Sequence, residues 1–151
     1  SLHFNHLPQS EITLVESFYA APGNVLESLG RRASAAGADA RAVGHEARGL
    51  PDLSFTRGSA RFAALAQRRV FAEVGFDNER ALDAGVKRET LFVLTRSLTS
   101  GALVELTCLS NADEAERLTD SGYRDRIAAA LADAIRDYRG SIEANPLDGG
   151  V

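Results

Sequence analysis

Apolar and polar positions change period several times along the chain, and each change marks an element. Leu2 and Phe4 alternate with polar residues over 1–5, as at the end of a strand, and Pro8-Gln9-Ser10 break the pattern. Ile12 to Ala20 is rich in β-branched and aromatic residues and predicts a second strand, closed by Pro22-Gly23-Asn24. From Ser59, Phe62, Leu65 and Ala66 recur at helical spacing, which predicts a helix capped by Ser59 and running to about Glu73. Gly75 to Gly85 reads as a polar connection in which Gly85 is free to take positive φ. Leu91 to Thr95 and Ala102 to Leu106 are short continuous apolar runs, the pattern of strands buried on both faces. Ser110 offers a cap for a short helix over 112–118, with Asp113 in its first turn. Asp120 or Ser121 caps a last helix whose apolar stripe is Ile127, Leu131, Ala134, Ile135 and Tyr138, ended by Gly140.

This order of strands and helices predicts an α/β fold with a mostly parallel sheet flanked by helices. One domain is expected over 1–140, followed by a tail over 141–151. Residues 24–58 interrupt the pattern. They are rich in Ala, Gly and Arg, and only Val25, Leu26 and Leu29 suggest a short helical face. From Ala33 to Gly58 no period is evident, so 24–58 is expected to be a surface insertion. Connections of this length inside a compact domain are usually functional or mobile.

Composition narrows the partners more than the fold. The 151 residues are 44% hydrophobic and 25% charged, which suits one globular domain with a core. The formal net charge of -4 provides no basic footprint for a phosphate backbone, so nucleic acid is not expected as a partner. No apolar run approaches the ~20 residues a membrane-spanning helix needs, and no transmembrane segment is expected. The single cysteine, Cys108, cannot form an internal disulfide. The chain contains no methionine, so residue 1 is not an encoded start. The N-terminus is therefore expected to be truncated or processed, with any export signal upstream.

Glu105 stands out among the titratable residues. It lies in ALVELTCLSN, between apolar neighbours near the end of a predicted buried strand. A carboxylate there costs free energy unless it is paired, hydrogen-bonded or bound to a cation. Strand ends of α/β sheets also gather reactive groups. The residues alone leave two readings open, a structural ion pair and a reactive acid. His3 occupies another strand end, where a neutral imidazole can ligate a metal or simply hydrogen-bond. His6 follows the strand break and reads as exposed. His45 and Glu46 are adjacent, do not share a face, and read as solvated surface. Cys108 reads as a small core residue. No HExxH, CxxC, GxSxG or phosphate-loop pattern occurs.

The segment from Leu103 to Asn111 (LVELTCLSN), followed by Asp113-Glu114-Ala115-Glu116-Arg117-Leu118, resembles the C-terminal signature of the zinc-dependent N-acetylmuramoyl-L-alanine amidases. Tyr123, Ile127, Ala128, Ala132 and Ile135 are similar to that family's closing helix. Ser1-Leu2-His3-Phe4-Asn5 resembles its Ser-Ile-His-x-Asn segment, and Val15-Glu16-Ser17-Phe18-Tyr19 the strand after it. Gly85-Val86-Lys87 and Leu91 to Leu94 resemble the stretch before the signature strand. The chain is thereby expected to be the C-terminal portion of an amidase catalytic domain.

The resemblance implies zinc as cofactor, His3 as a metal ligand and Glu105 as the catalytic acid–base. It implies peptidoglycan or muropeptides as substrate, cleaved between N-acetylmuramic acid and L-alanine, and hence a periplasmic or extracellular location. His3 and Glu105 should then face one cleft within a metal-and-water diameter of each other, on the order of 5–8 Å, the sum of a Zn–N bond and a bridging water. Two departures accompany it. The family's Gly-His-Gly strand and ligand glutamate would lie before residue 1, and Thr107-Cys108 replace the usual Gly-Phe. Some relatives carry a segment in the place of 24–58 that blocks the site until an activator protein moves it, with Glu27 or Glu46 as candidate blocking carboxylates here. A surface loop is the competing expectation for that segment. For the whole chain, the alternatives are a non-catalytic wall-binding relative and an unrelated α/β interaction domain.

Overall fold

The computed structural model of the protein describes residues 1–20, 53–95, 97 and 99–144. Four strands, β1 (Leu2–Asn5), β2 (Leu14–Tyr19), β3 (Leu82–Arg88) and β4 (Leu103–Cys108), form one sheet in the order β1-β4-β2-β3. β1 runs parallel to β4 and β2 parallel to β3, while β2 and β4 are antiparallel. The sheet is thus mostly parallel, within an α/β architecture. Four helices accompany it: α1 (Leu53–Asp77), α2 (Phe92–Thr95), α3 (Ala112–Arg117) and α4 (Ser121–Ala144).

The core follows from strand alternation. Val15 on β2 and Val104 and Leu106 on β4 point to one face. There they meet Ala66, Val70 and Val74 of α1 and Tyr123, Ile127 and Ala134 of α4, all spaced by helical turns. Ser17, also on this face, donates to Gln67 of α1 at 2.9 Å, and Gln67 Nε2 donates to the Val15 carbonyl at 2.8 Å. These bonds satisfy a buried hydroxyl and a buried amide between helix and sheet. Glu105 alternates with Val104 and Leu106 and so projects from the opposite face.

Several expectations are corrected. The helix expected over 59–73 is longer at both ends. Residues 53–58, assigned to the insertion, belong to α1, and Ser59 lies inside the helix, where its hydroxyl accepts the Gly101 N–H at 3.0 Å. The run Leu91 to Thr95 is a single helical turn, not a strand. Only Leu94 of α2 is buried, and Phe92 is 66% exposed. The fourth strand is instead β3, within and beyond the stretch read as polar connection. β3 is an edge strand of mixed, largely exposed residues, held by backbone pairing to β2 rather than by an apolar face. The cap of α3 is Asn111, whose side-chain oxygen accepts the N–H groups of Asp113 and Glu114. Ser110 instead accepts the Leu7 N–H at 3.0 Å. α4 passes through Gly140 to Ala144, and Ile135, expected on its apolar stripe, is 56% exposed. The insertion from 24 to 52, with Glu27, His45 and Glu46, lies outside the described residues, as do 145–151. Among the described residues no helix is long and apolar enough to cross a membrane.

Core burial gives a direct stability test. Ile127 of α4 is buried in the core cluster with residues of α1 and the sheet, and Ile127→Ala is expected to cost ~2–5 kcal/mol, the usual range for deleting a buried aliphatic side chain. Denaturant unfolding measures it. A loss within experimental error of zero would contradict the packing described.

Candidate functional site

On the face opposite the core, three strands bring three titratable side chains into one row. His3 on β1 is in register with Glu105 on β4, and Glu105 is in register with Glu16 on β2. Directly opposed residues share a face, so the imidazole and both carboxylates stand side by side. His3 Nδ1 lies 4.0 Å from Glu105 Oε1, shorter than the metal-and-water span of about 5–8 Å. The other ring nitrogen, Nε2, shares a 2.8 Å hydrogen bond with Ser1 Oγ.

Glu105 Oε2 is buried without a hydrogen-bond partner. Burial raises the Glu105 pKa above the ordinary carboxylate value; the adjacent His3 opposes the shift and the Glu16 charge adds to it. Glu16, only 8% exposed, is satisfied on both oxygens. Asn5 Nδ2 donates to its Oε1 at 2.8 Å, and Lys87 Nζ pairs with its Oε2. The two neighbouring carboxylates therefore have different environments. Glu16 is neutralised by a cation, whereas Glu105 keeps one oxygen free. Unequal environments are how two acids at one site acquire different roles.

The remaining candidates lie outside this row. His6 is exposed, and its N–H donates to Asn5 Oδ1 at 2.9 Å. Cys108 is fully buried, and that burial pushes its thiol pKa up, which suits a core residue rather than a nucleophile.

The match to protein families bears on the whole arrangement. A family model described as N-acetylmuramoyl-L-alanine amidase matches residues 1–137. The chain belongs to this amidase family. Solved amidase structures share its fold. The N-acetylmuramoyl-L-alanine amidase from Clostridium difficile 630 superposes with a TM-score of 0.61 at 18% identity, covering 93% of this chain and 56% of that one. The CwlD amidase from Clostridioides difficile, in complex with the GerS lipoprotein, gives 0.60 at 21% identity, covering 93% and 53%. AmiC2 of Nostoc punctiforme gives 0.55 at 15%, covering 92% and 56%. This member of the family thus spans about half the length of these structures. No curated protein sequence matches it.

Within this amidase-family chain, three site residues escaped the sequence reading. Glu16 carried the same signal as Glu105, a carboxylate within an apolar and aromatic strand, and could have been found by it. Lys87 could not, because its face depends on an irregularity of β3. All three lie in segments that resemble the family, and the resemblance alone gives none of them a role. The departures Thr107 and Cys108 are both fully buried. Thr107 Oγ1 donates to Glu114 Oε2 at 2.8 Å, so its hydroxyl is taken up by a buried carboxylate other than Glu105.

Proposed function

We propose that this chain is part of the catalytic domain of a zinc-dependent amidase that hydrolyses the bond between N-acetylmuramic acid and L-alanine in peptidoglycan or muropeptides. The family membership supports amidase chemistry on this substrate class. The observation that carries the site assignment is the buried, unpartnered Oε2 of Glu105 beside His3. A lone buried carboxylate oxygen is costly in a purely structural residue, and it suits a base held ready for a proton.

The donor types fit zinc. An imidazole and a nearby carboxylate are what a catalytic zinc site uses. His3 would be a ligand, and the resemblance assigns the other ligands to positions upstream of residue 1. Among the described residues no cluster of three His, Cys, Asp or Glu side chains is placed to hold a metal alone. Zinc, when bound, would polarise the scissile carbonyl and acidify water. Glu105 then takes a proton from the attacking water as the C–O bond forms. It returns that proton to the leaving nitrogen as the C–N bond breaks, yielding a muramic carboxylate and the free amine of L-alanine. Such a substrate places the enzyme in the periplasm or outside the cell. One neighbour is seen with a lipoprotein bound, and an activator protein for this chain is part of the same reading.

His3→Ala in the full-length protein tests the metal assignment. Zinc content by elemental analysis is expected to fall well below that of the unmodified protein, with muropeptide release falling in parallel. Zinc retained at the unmodified level would remove His3 from the ligand set.

A further inference from the structure

β1 and β2 are not neighbours, because β4 lies between them. A side-chain bond joins them nevertheless: Asn5 Nδ2 reaches Glu16 Oε1 at 2.8 Å. Lys87 on β3 holds the other Glu16 oxygen, and Asn5 Oδ1 accepts the His6 N–H. Asn5, Glu16 and Lys87 thus form a strap from β3 through β2 to β1. It spans β4, on which Glu105 is the registered partner of Glu16.

Lys87 reaches this face only because β3 is irregular. Val15 aligns with Asp83 but Glu16 aligns with Gly85, so Ala84 is an extra residue. Gly85 takes φ 75°, and its N–H is held by Asp83 Oδ1 at 3.0 Å. In an unbroken ladder Lys87 would align with Tyr19 and face the helices. The irregularity aligns it with Phe18, on the face of Glu16.

We propose that Asn5, Glu16 and Lys87 are positioning residues that hold His3 beside Glu105 and thereby set the site's affinity for zinc. The proposal rests on the zinc amidase reading above. β1 needs such a device. It is a four-residue strand paired only to β4, and its apolar side chains Leu2 and Phe4 are 58% and 44% exposed. Its register also shifts between His3 and Asn5. Hydrophobic burial therefore does little to fix the imidazole. Asn5 is two residues from His3, and its partner Glu16 is buried and charge-paired. Charge-assisted bonds in that setting are stronger and more directional than exposed ones. Partners that orient a metal ligand in this way typically change metal affinity or activity by 10–100-fold.

The test uses the full-length protein carrying Asn5→Ala, Glu16→Ala, Lys87→Ala, Lys87→Arg or Asn5→Ala with Lys87→Ala. Zinc affinity is read by competition with a chromophoric chelator, beside the melting temperature of the metal-free protein. Asn5→Ala and Lys87→Ala are each expected to weaken zinc binding by ~10-fold or more. The double variant should weaken it less than the product of the singles, because the strap acts as a unit. Lys87→Arg, which keeps the cation, should stay close to the unmodified protein. If Glu16→Ala fails to fold, the more exposed Asn5 and Lys87 variants decide the matter. A purely structural strap would lower the metal-free melting temperature and leave zinc affinity unchanged, and that result overturns the proposal. An unmodified protein that binds no zinc rejects the active-site reading, and the strap's role with it. One that binds zinc, loses it on His3→Ala and keeps full affinity in the strap variants rejects the strap alone.

Discussion

Glu105→Gln is expected to lower muropeptide release by at least ~100-fold, the low end of general acid–base contributions, while zinc content stays near that of the unmodified protein. Glutamine keeps the volume and one acceptor oxygen of Glu105 but cannot take a proton from water. His3, the proposed ligand, is unaltered, so metal binding and catalysis should separate. The same substitution should leave the fold intact or stabilise it. The Glu105 pKa is raised, chiefly by burial, so the folded state binds this proton more tightly than the unfolded chain. Stability from this group is therefore lost as pH rises from the ordinary carboxylate value through the raised one. Above that window the charge is a cost that glutamine removes. In the presence of a chelator, Glu105→Gln should melt at or above the temperature of the unmodified protein at neutral pH. Unchanged release would exclude Glu105 from the mechanism. A melting temperature lowered by several degrees would mean that the carboxylate is structural.

Glu114 provides the contrasting case, a carboxylate with every oxygen engaged. It is 0% exposed and accepts from Thr107 at 2.8 Å, Tyr123 at 3.1 Å, Asn78 at 2.9 Å and Arg117 at 2.6 Å. These donors come from β4, α4, the end of α1 and α3, so one side chain ties the sheet to three helices. Burial and the adjacent carboxylate push the Tyr123 pKa far up, and its hydroxyl remains a donor at every physiological pH. Glu114→Ala would strand these partners, at a cost of ~3–5 kcal/mol, the range for breaking a buried pair. At ~2–4 °C per kcal/mol for a domain of this size, the melting temperature should fall by roughly 10 °C. Differential scanning calorimetry reads this, and a fall below ~2 °C would show that the network contributes little. Zinc affinity per folded molecule should not change, because Glu114 lies away from the row of His3, Glu105 and Glu16.

What the sequence revealed depended on how strongly each element's packing is written into side-chain pattern. The spacing of Ile127 and Ala134 marks the core face of α4, while β2 and β4 are legible as β-branched and apolar runs that do not say which face Val15, Val104 and Leu106 take. β3 has no such face. Leu-Asp-Ala-Gly-Val-Lys-Arg carries a bulge that disrupts alternation, and its pairing with β2 is a backbone matter with no side-chain signature. Leu91 to Thr95 shows the converse error. A short apolar run does not distinguish a strand from a helical turn, and here Phe92 and Val93 stay exposed while Leu94 alone is buried. At the site, Glu105 was legible because a lone carboxylate among Leu, Val and Thr is anomalous. Its proximity to His3 came from the family resemblance, since contacts between strands a hundred residues apart leave no local trace. Glu114 was hidden for a related reason. It sits in an acidic helix start, where a glutamate needs no special explanation until the fold buries it.

The activity proposed for this face is cleavage of the muramoyl–L-alanine amide. The most direct measurement is the chemistry of new ends in purified peptidoglycan treated with the full-length protein and zinc. Labelling of free α-amino groups, followed by hydrolysis and mass spectrometry, should show newly exposed N-terminal L-alanine, with glycan strands uncut and the signal abolished by chelator. No gain in N-terminal L-alanine, or new reducing sugar ends in its place, would contradict the assignment.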